Sequence, residues 1–189
     1  MDHLFADVRL AFLDRDGVLN RKPKEGDYVT AWEQFEFLPG APESVAKLNR
    51  AGIKVVVVTN QRGVALGKMS EVGLKSIHER MERELRTSNA HIDAIFYCPH
   101  DGNGCECRKP RPGLLVEAFK RFPEIQSASA ILIGDSLPDI EAGQAAGVRT
   151  IFVQGPSTTQ KAGSAEAETK ADAVANSLSD AVNRILRLP

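Results

Sequence analysis

The stretch VRLAFLDRDGVLN (residues 8–20) decides the fold, because it joins a short apolar run to a pair of carboxylates. The run Val8–Leu13 is typical of a buried β-strand, and it ends at Asp14 and Asp16. Two carboxylates this close repel each other, and burial disfavours the ionised form of both. The pair is therefore either a solvated turn or part of a site in which a cation lies between the carboxylates.

Further apolar runs along the chain alternate with helical patterns. Strands are predicted at residues 53–58, 92–97, 130–133 and 150–153. Helices are predicted at residues 42–50, 70–87, 113–122, 138–146 and 171–187. Strands that alternate with helices indicate βαβ units, so we predict an α/β fold with a mainly parallel sheet.

Composition and charge narrow the class of protein. A chain of 189 residues with 42% hydrophobic and 26% charged residues predicts one globular domain (1–189). The polar segment 155–170 is expected to be a loose surface loop before the last helix. A net charge of −1 gives no electrostatic case for nucleic acid or a membrane as partner. The amino-terminal sequence does not resemble a signal peptide, so we predict a cytoplasmic protein. No long apolar surface stripe is left over, so a monomer is the default expectation.

Polar side chains follow three of the predicted strands. The residues concerned are Asp14, Asp16, Thr59, Asn60, Gln61, Asp135 and Asp139. Because sites in open parallel sheets form beyond the carboxyl ends of the strands, we expect these side chains to meet in one crevice. Any one of them alone is explained as a turn or a helix cap. Asp139 in particular, just after Pro138, is explained by the dipole of the helix that begins there.

Phosphoryl transfer is the chemistry that fits these groups. Asp14 can attack phosphorus and form an aspartyl-phosphate, and Asp14 and Asp135 can hold a catalytic Mg²⁺ ion. Asp16 can protonate the leaving oxygen and later activate water. The Thr59 hydroxyl can donate to the phosphoryl oxygens, and Lys109 is the candidate for a cation on the far side.

The stretch CPHDGNGCECRKP (98–110) contains all three cysteines of the chain. Cys98, His100, Cys105 and Cys107 match a closed, structural zinc site of the Cys₃His type. We expect the zinc to fix the loop that carries Lys109. The alternative is free thiols on a flexible, glycine-rich loop.

Four motifs in this order resemble those of the haloacid dehalogenase (HAD) superfamily of phosphatases. They are DRDGV (14–18), TNQ (59–61), RKPRPG (108–113) and GDSLPDIEAG (134–143). The resemblance implies a Rossmann-like three-layer α/β/α core with a minimal cap, and it implies the catalytic roles given above. It also implies that Mg²⁺ lies between Asp14, Asp135 and the backbone carbonyl of Asp16.

The zinc loop resembles that of the branch containing the heptose-bisphosphate and histidinol-phosphate phosphatases. The resemblance implies a small phosphorylated sugar as partner, with histidinol phosphate as the alternative substrate. A third hypothesis, from a different class, is an inactive phosphosugar-binding domain. The expected substrate-binding residues are Asn20, Gly26, Asp27, Tyr28, Asn60, Gln61, Arg62, Arg108 and Lys109. Among them, Arg108 can bind a second phosphate bidentately, which favours a bisphosphate, although a surface salt bridge also explains it.

Overall fold

One six-stranded sheet forms the centre of the molecule, and all its strands are parallel. The computed structural model describes residues 5, 7–24, 26–102, 104–155 and 163–188. The strands are β1 Leu10–Leu13, β2 Lys54–Asn60, β3 Ala94–Cys98, β4 Ala130–Gly134, β5 Arg149–Val153 and β6 Ala173–Ala175. Their spatial order is β3-β2-β1-β4-β5-β6, so the strand that precedes the carboxylate pair is central.

Helices cover both faces of this sheet. They are α1 Ala41–Arg50, α2 Glu71–Thr87, α3 Gly113–Arg121, α4 Leu137–Ala145, α5 Ser164–Lys170 and α6 Leu178–Leu186. Short 3-10 turns lie at Trp32–Gln34 and Ser127–Ser129. No helix in the described part of the chain is long and apolar enough to cross a membrane.

Alternate residues of each strand point to opposite helix layers. In β1, Ala11 and Leu13 pack in one core cluster with buried residues of α1, α2 and α6. Leu10 and Phe12 pack in a second cluster with α3 and α4. Strands covered on both faces read as continuous apolar runs, which is why the sequence shows no clean alternation there. The predicted three-layer α/β/α fold is confirmed.

The second helix begins and packs as its sequence indicates. Ser70 caps α2, since its hydroxyl accepts a hydrogen bond from the Gly73 amide at 3.0 Å. The apolar stripe at helical spacing is buried and consists of Leu74, Ile77, Met81 and Leu85. The stripe therefore packs into the core, as predicted.

The prediction for the carboxyl-terminal part of the chain was wrong in two places. Part of the expected loop over 155–170 is the helix α5, and residues 156–162 of it lie outside the described residues. The expected helix over 171–187 is split, because its first turn is the strand β6.

Pairing with a distant strand explains this split. β6 lies beside β5, with Val153 opposite Ala175. A three-residue edge strand is too short to show the alternation of apolar and polar residues that predicts a strand. Val174 falls at helical spacing from Leu178 but belongs to that strand. The helix begins only after Ser177, whose hydroxyl accepts from the Asp180 amide at 3.1 Å.

The register of the central strands aligns their carboxyl ends. Leu13 of β1 lies opposite Val57 of β2 and Ile133 of β4. The Asp14 amide continues the ladder by donating to the Ile133 carbonyl at 3.0 Å. The residues that follow these three strands therefore emerge at one edge of the sheet.

Candidate active site

Three carboxylates meet at the carboxyl edge of the sheet. Asp14 follows β1, Asp135 follows β4 and Asp139 lies in the first turn of α4, and their carboxylate oxygens lie within 4.8 Å of one another. Asp14 and Asp139 are buried, and Asp135 is 9% exposed. Carboxylates this close destabilise one another, so the cluster requires positive charge.

Lys109 supplies part of this charge. Its ammonium lies 2.8 Å from an oxygen of Asp14 and 2.5 Å from an oxygen of Asp139, and it donates to the Val58 carbonyl at 2.7 Å. Burial alone would lower the pKa of Lys109, but the carboxylates of Asp139 and Asp14 outweigh it and raise that pKa. Lys109 is therefore a permanent cation between two carboxylates.

A second lysine, which no sequence pattern indicates, pairs with the third carboxylate. The Lys22 ammonium contacts the carboxylate of Asp135, and the Lys22 side chain is 12% exposed. Lys22 lies in the loop between β1 and α1, where the sequence RKPK holds several basic residues and does not indicate which of them turns inward. Two lysines thus face three carboxylates, and one negative charge is left over.

The electrostatics at Asp14 favour a further cation. The pKa of Asp14 is raised to about 7, chiefly by burial and also by the carboxylates of Asp139, Asp135 and Asp16, against the opposing charge of Lys109. A nucleophilic carboxylate must be ionised, and a divalent ion would favour that form. The donors here are hard oxygen atoms, which fit Mg²⁺.

Asp139 both caps α4 and pairs with Lys109, and only the first of these contacts follows from its place at the start of a helix. Its carboxylate accepts from the amide and the hydroxyl of Ser136 at 3.1 and 2.5 Å, which is a capping box for α4. The same carboxylate pairs with Lys109. Gly134 permits this approach, because a Cβ atom there would lie 2.2 Å from the Cβ of Asp139.

A backbone constraint explains the glycine of DRDG. Gly17 has a φ of 104°, which favours glycine, and a Cβ atom there would lie 2.1 Å from the Asp135 carboxylate. Only a residue without a side chain therefore lets the chain turn away from Asp14 past Asp135.

Asp16 is held by a ring of donors. Its carboxylate accepts from Arg15 at 3.0 Å, from Asn20 at 2.9 Å and from Gln61 at 3.0 Å. Burial raises the pKa of Asp16, but the charge of Arg15 and the bonds from Asn20 and Gln61 outweigh it and lower that pKa. Asn20 and Gln61, which we expected to bind substrate, do not line the cavity described below and instead bind Asp16.

Asn60 and Thr59 lie at the end of β2, on the cavity wall. The Asn60 amide donates to the Lys109 carbonyl at 3.0 Å and accepts from the Lys109 amide at 3.1 Å. This two-point contact fixes the backbone from which the Lys109 side chain reaches the carboxylates. The buried Thr59 hydroxyl accepts from Gln61 at 2.9 Å and faces the cavity that holds Asp14.

An open cavity of about 400 Å³ lies over the carboxylates. The expected substrate-binding residues that line it, besides Asn60 and Lys109, are Gly26, Asp27, Tyr28, Arg62 and Arg108. Arg62 is paired with Asp101 at 2.6 Å, whereas Arg108 donates to the His100 carbonyl at 3.2 Å. Arg62 is therefore already in an ion pair, whereas the Arg108 guanidinium forms no ion pair with the described residues.

The expected zinc ligands form a group that can hold a metal ion. Donor atoms of Cys98, His100, Cys105 and Cys107 lie within 4.8 Å of one another. The Cys98 and Cys105 sulfurs are 3.6 Å apart, and the His100 Nδ1 atom lies 3.2 Å from the Cys107 sulfur. A tetrahedral zinc site with Zn–S bonds of about 2.3 Å has edges of about 3.8 Å, close to these separations.

Contacts within the chain tie this loop to the start of α3. The Arg111 guanidinium donates to the Cys105 carbonyl, and the Gly113 amide donates to the Glu106 carbonyl at 3.1 Å. A Cβ atom at Gly113 would lie 2.2 Å from the Glu106 oxygen, so this close approach requires glycine. These contacts therefore hold the cysteine loop in a compact form next to Lys109.

Comparisons with known proteins agree with this geometry. The model of the HAD-hydrolase-like family matches residues 106–181. A Mycobacterium tuberculosis protein named D-glycero-alpha-D-manno-heptose-1,7-bisphosphate 7-phosphatase is 47% identical over 131 residues, covering 69% of this chain and 68% of that protein. The Salmonella typhi protein named as the corresponding phosphatase for the beta form is 40% identical over 182 residues, covering 92% and 93%.

A solved structure is also similar. It is D,D-heptose 1.7-bisphosphate phosphatase from B. bronchiseptica, complexed with magnesium and phosphate. The TM-score is 0.84 and the sequence identity 32%, over 95% of this chain and 99% of that one. The likeness therefore extends over nearly the whole of both chains.

Proposed function

This chain belongs to the HAD-hydrolase-like family of the D-glycero-D-manno-heptose-1,7-bisphosphate 7-phosphatases, and on that basis we propose that it removes the 7-phosphate of such a heptose bisphosphate. The observation that carries the proposal is the Asp14 carboxylate beside the Lys109 ammonium, with two further carboxylates, at the base of an open cavity. This arrangement supplies a nucleophile, a fixed cation and oxygen ligands for a second cation.

In the first half of the proposed reaction, Asp14 attacks the phosphorus atom. An oxygen–phosphorus bond to Asp14 forms, the ester bond to the sugar breaks, and Asp16 gives its proton to the leaving sugar oxygen. Because Asp16 is ionised in the free site, we propose that the charge of the bound phosphate raises its proton affinity. The Lys109 ammonium and the Thr59 hydroxyl stabilise the phosphoryl oxygens.

In the second half, water attacks the aspartyl-phosphate. Asp16 takes a proton from this water, inorganic phosphate leaves, and the Asp14 carboxylate is regenerated. Asp14 and Asp135, with the backbone carbonyl of Asp16, would hold Mg²⁺. When bound, this ion would neutralise charge on the phosphoryl group.

We further propose that the chain acts as a single domain without a separate cap. The described residues between β1 and α1 form a loop with one 3-10 turn, and α2 alone is the helix between β2 and β3. Specificity then comes from loops around the cavity, namely residues 26–28 and Arg108. Such loops bind a small, doubly phosphorylated sugar more readily than they enclose a large substrate.

Phosphate release from a panel of substrates tests the function. The panel holds both anomers of the heptose 1,7-bisphosphate, sugar monophosphates and histidinol phosphate, each with Mg²⁺ present. We expect the largest kcat/KM on a heptose bisphosphate. A strong preference for histidinol phosphate would replace the proposed substrate, and no release from any member would support an inactive phosphosugar-binding domain.

Substitution of Arg108 tests how the second phosphate is bound. Arg108→Ala is expected to lower kcat/KM for the bisphosphate about tenfold or more, because a hydrogen bond to a charged group contributes about 1.5–3 kcal/mol. Monophosphates should lose much less. Arg121→Ala, at an exposed position on α3, is the matched control and should change neither value. Equal losses on both substrate types would show that Arg108 does not bind the second phosphate.

Metal analysis tests the zinc proposal. We expect about one zinc ion per purified chain. Cys105→Ser should remove the zinc and reduce activity, since Cys107 and Lys109 are only two residues apart. His91→Asn, which changes a histidine with an exposed side chain, should keep both zinc and activity. A zinc-free wild-type protein that is fully active and equally stable would contradict the proposal.

A further inference from the structure

A row of three side chains, of which the outermost is 21% exposed and the other two are buried, runs from the active site into α2. It consists of Asp16, Arg15 and His78. The proposed reaction uses Asp16 but gives no role to His78, at the opposite end of the row. We propose that His78 is a positioning residue, which fixes the Asp16 carboxylate by holding the Arg15 guanidinium. This inference rests on the proposed function only in taking Asp16 as the acid and base of the reaction.

Arg15 is the link between the other two side chains. It is 0% exposed and is the largest of the fully buried side chains. Its Nη2 atom lies 3.0 Å from each carboxylate oxygen of Asp16, and its Nε atom lies 3.3 Å from one of them. A buried guanidinium needs a charged partner, and Asp16 is that partner. The position of the guanidinium therefore determines the position of the carboxylate.

His78 holds the opposite side of that guanidinium. Its Nε2 atom lies 3.2 Å from the Arg15 Nη1 atom, and the residue is 5% exposed. Because a guanidinium only donates, Nε2 must accept, and the ring proton must lie on Nδ1. Burial and the charge of Arg15 lower the pKa of His78 to about 3, so the ring stays neutral and keeps its lone pair.

A second contact orients the imidazole. The His78 ring packs edge to face with Tyr97 of β3, with 6.0 Å between centroids and 61° between planes. The ring is thus held between a strand and the guanidinium, so it cannot turn without breaking one of these contacts. Asn20 and Gln61 also donate to Asp16, but Arg15 is the donor that contacts both of its oxygens.

Misplacement of Asp16 should reduce turnover more than binding. Asp16 transfers a proton in both proposed steps. His78 is not among the described residues that line the cavity over the carboxylates, so it should not contact the phosphate or the sugar. A shift of about 1 Å in a reacting group can cost about hundredfold in rate. Loss of the His78 contact is therefore expected to lower kcat and leave KM nearly unchanged.

Two variants of His78 separate positioning from packing. His78→Leu fills the site but accepts no hydrogen bond, and kcat should fall about tenfold to hundredfold. His78→Gln offers a carbonyl oxygen to Arg15 and should recover most of that loss. His91→Leu, at a histidine with an exposed side chain, is the control. If both His78 variants keep wild-type kcat in folded protein, or lose it equally, the positioning role is overturned.

A spectroscopic measurement tests the same contact without any substrate. Nitrogen-15 NMR of the histidine rings should show His78 with its proton on Nδ1 from about pH 5 to 8, and Arg15→Met should change that signature. A proton on Nε2 in the wild type would overturn the inference. If the proton lies on Nδ1 but the wild type releases no phosphate from any substrate, the proposed function fails and not the contact.

Discussion

Asp14→Asn should abolish phosphate release and leave the protein folded. An amide is a poor nucleophile, and loss of a catalytic nucleophile lowers kcat by about 10⁴-fold or more. The amide has nearly the shape of the carboxylate, so the cavity over α4 and the end of β2 should be preserved. The expected phenotype is therefore a folded protein that still binds the phosphorylated sugar.

The fold should not suffer from this change, for an electrostatic reason. Asp14 is one of three carboxylates whose oxygens lie within 4.8 Å of one another, and burial disfavours its ionised form. A neutral amide removes part of that repulsion, although it also weakens the pair with Lys109. We expect the thermal midpoint in metal-free buffer to stay close to that of the wild type.

Rapid-quench kinetics with labelled bisphosphate checks this prediction. The wild type should form a labelled phosphoenzyme within one turnover, and Asp14→Asn should form none. Asp180→Asn, at an ion-paired aspartate on α6, is the matched control and should keep the phosphoenzyme. Near-normal turnover by Asp14→Asn would refute the aspartyl-phosphate mechanism.

Lys109→Met should have the second-largest effect, on both rate and stability. The ammonium is buried between Asp14 and Asp139, and removing one partner of a buried ion pair costs about 3 kcal/mol in the free energy of unfolding. Loss of a fixed charge at the phosphoryl oxygens should lower kcat by about 10²–10³-fold. Methionine is chosen because it keeps most of the aliphatic length of lysine.

Denaturant unfolding and steady-state kinetics measure the two effects separately. Mg²⁺ should restore part of the lost stability, because it supplies positive charge to the same carboxylates. It should not restore the rate to the wild-type value. Lys120→Met, which breaks only an exposed pair with Glu117, should change neither quantity. An unchanged free energy of unfolding would show that the buried pair does not stabilise the fold.

Local sequence patterns predicted most of the sheet and the parts of the site that lie at strand ends. The carboxyl ends of neighbouring parallel strands lie at the same edge of a sheet, so Asp14, Thr59 and Asp135 could be brought together from three short motifs. The four candidate metal ligands of the cysteine loop were also predictable, because all of them lie within ten residues. In both cases the residues that indicate the chemistry lie within short stretches of the sequence.

The missed features depend on contacts between distant parts of the chain. Arg15 and His78 are 63 positions apart, and nothing around His78 distinguishes it from a histidine in the core. The pair of Asp139 with Lys109 was missed for another reason, because its place at the start of a helix explains an aspartate there equally well. The strand β6 was missed because its evidence is its pairing with β5.

The central place of β1 has a consequence for how this molecule is made. Of the six strands β1 is synthesised first, and its two neighbours are β2 and β4. Leu10 pairs with Lys54 of β2, but its partner on the other side, Ala130 of β4, is made much later. Closing so long a loop costs chain entropy before the contacts between β1 and β4 can form. Contacts between residues so distant in the sequence slow folding. The segment that carries Asp14 is thus synthesised early and completed late. A nascent chain that has not yet reached β4 therefore lacks Asp135 and Asp139 and has no phosphatase site.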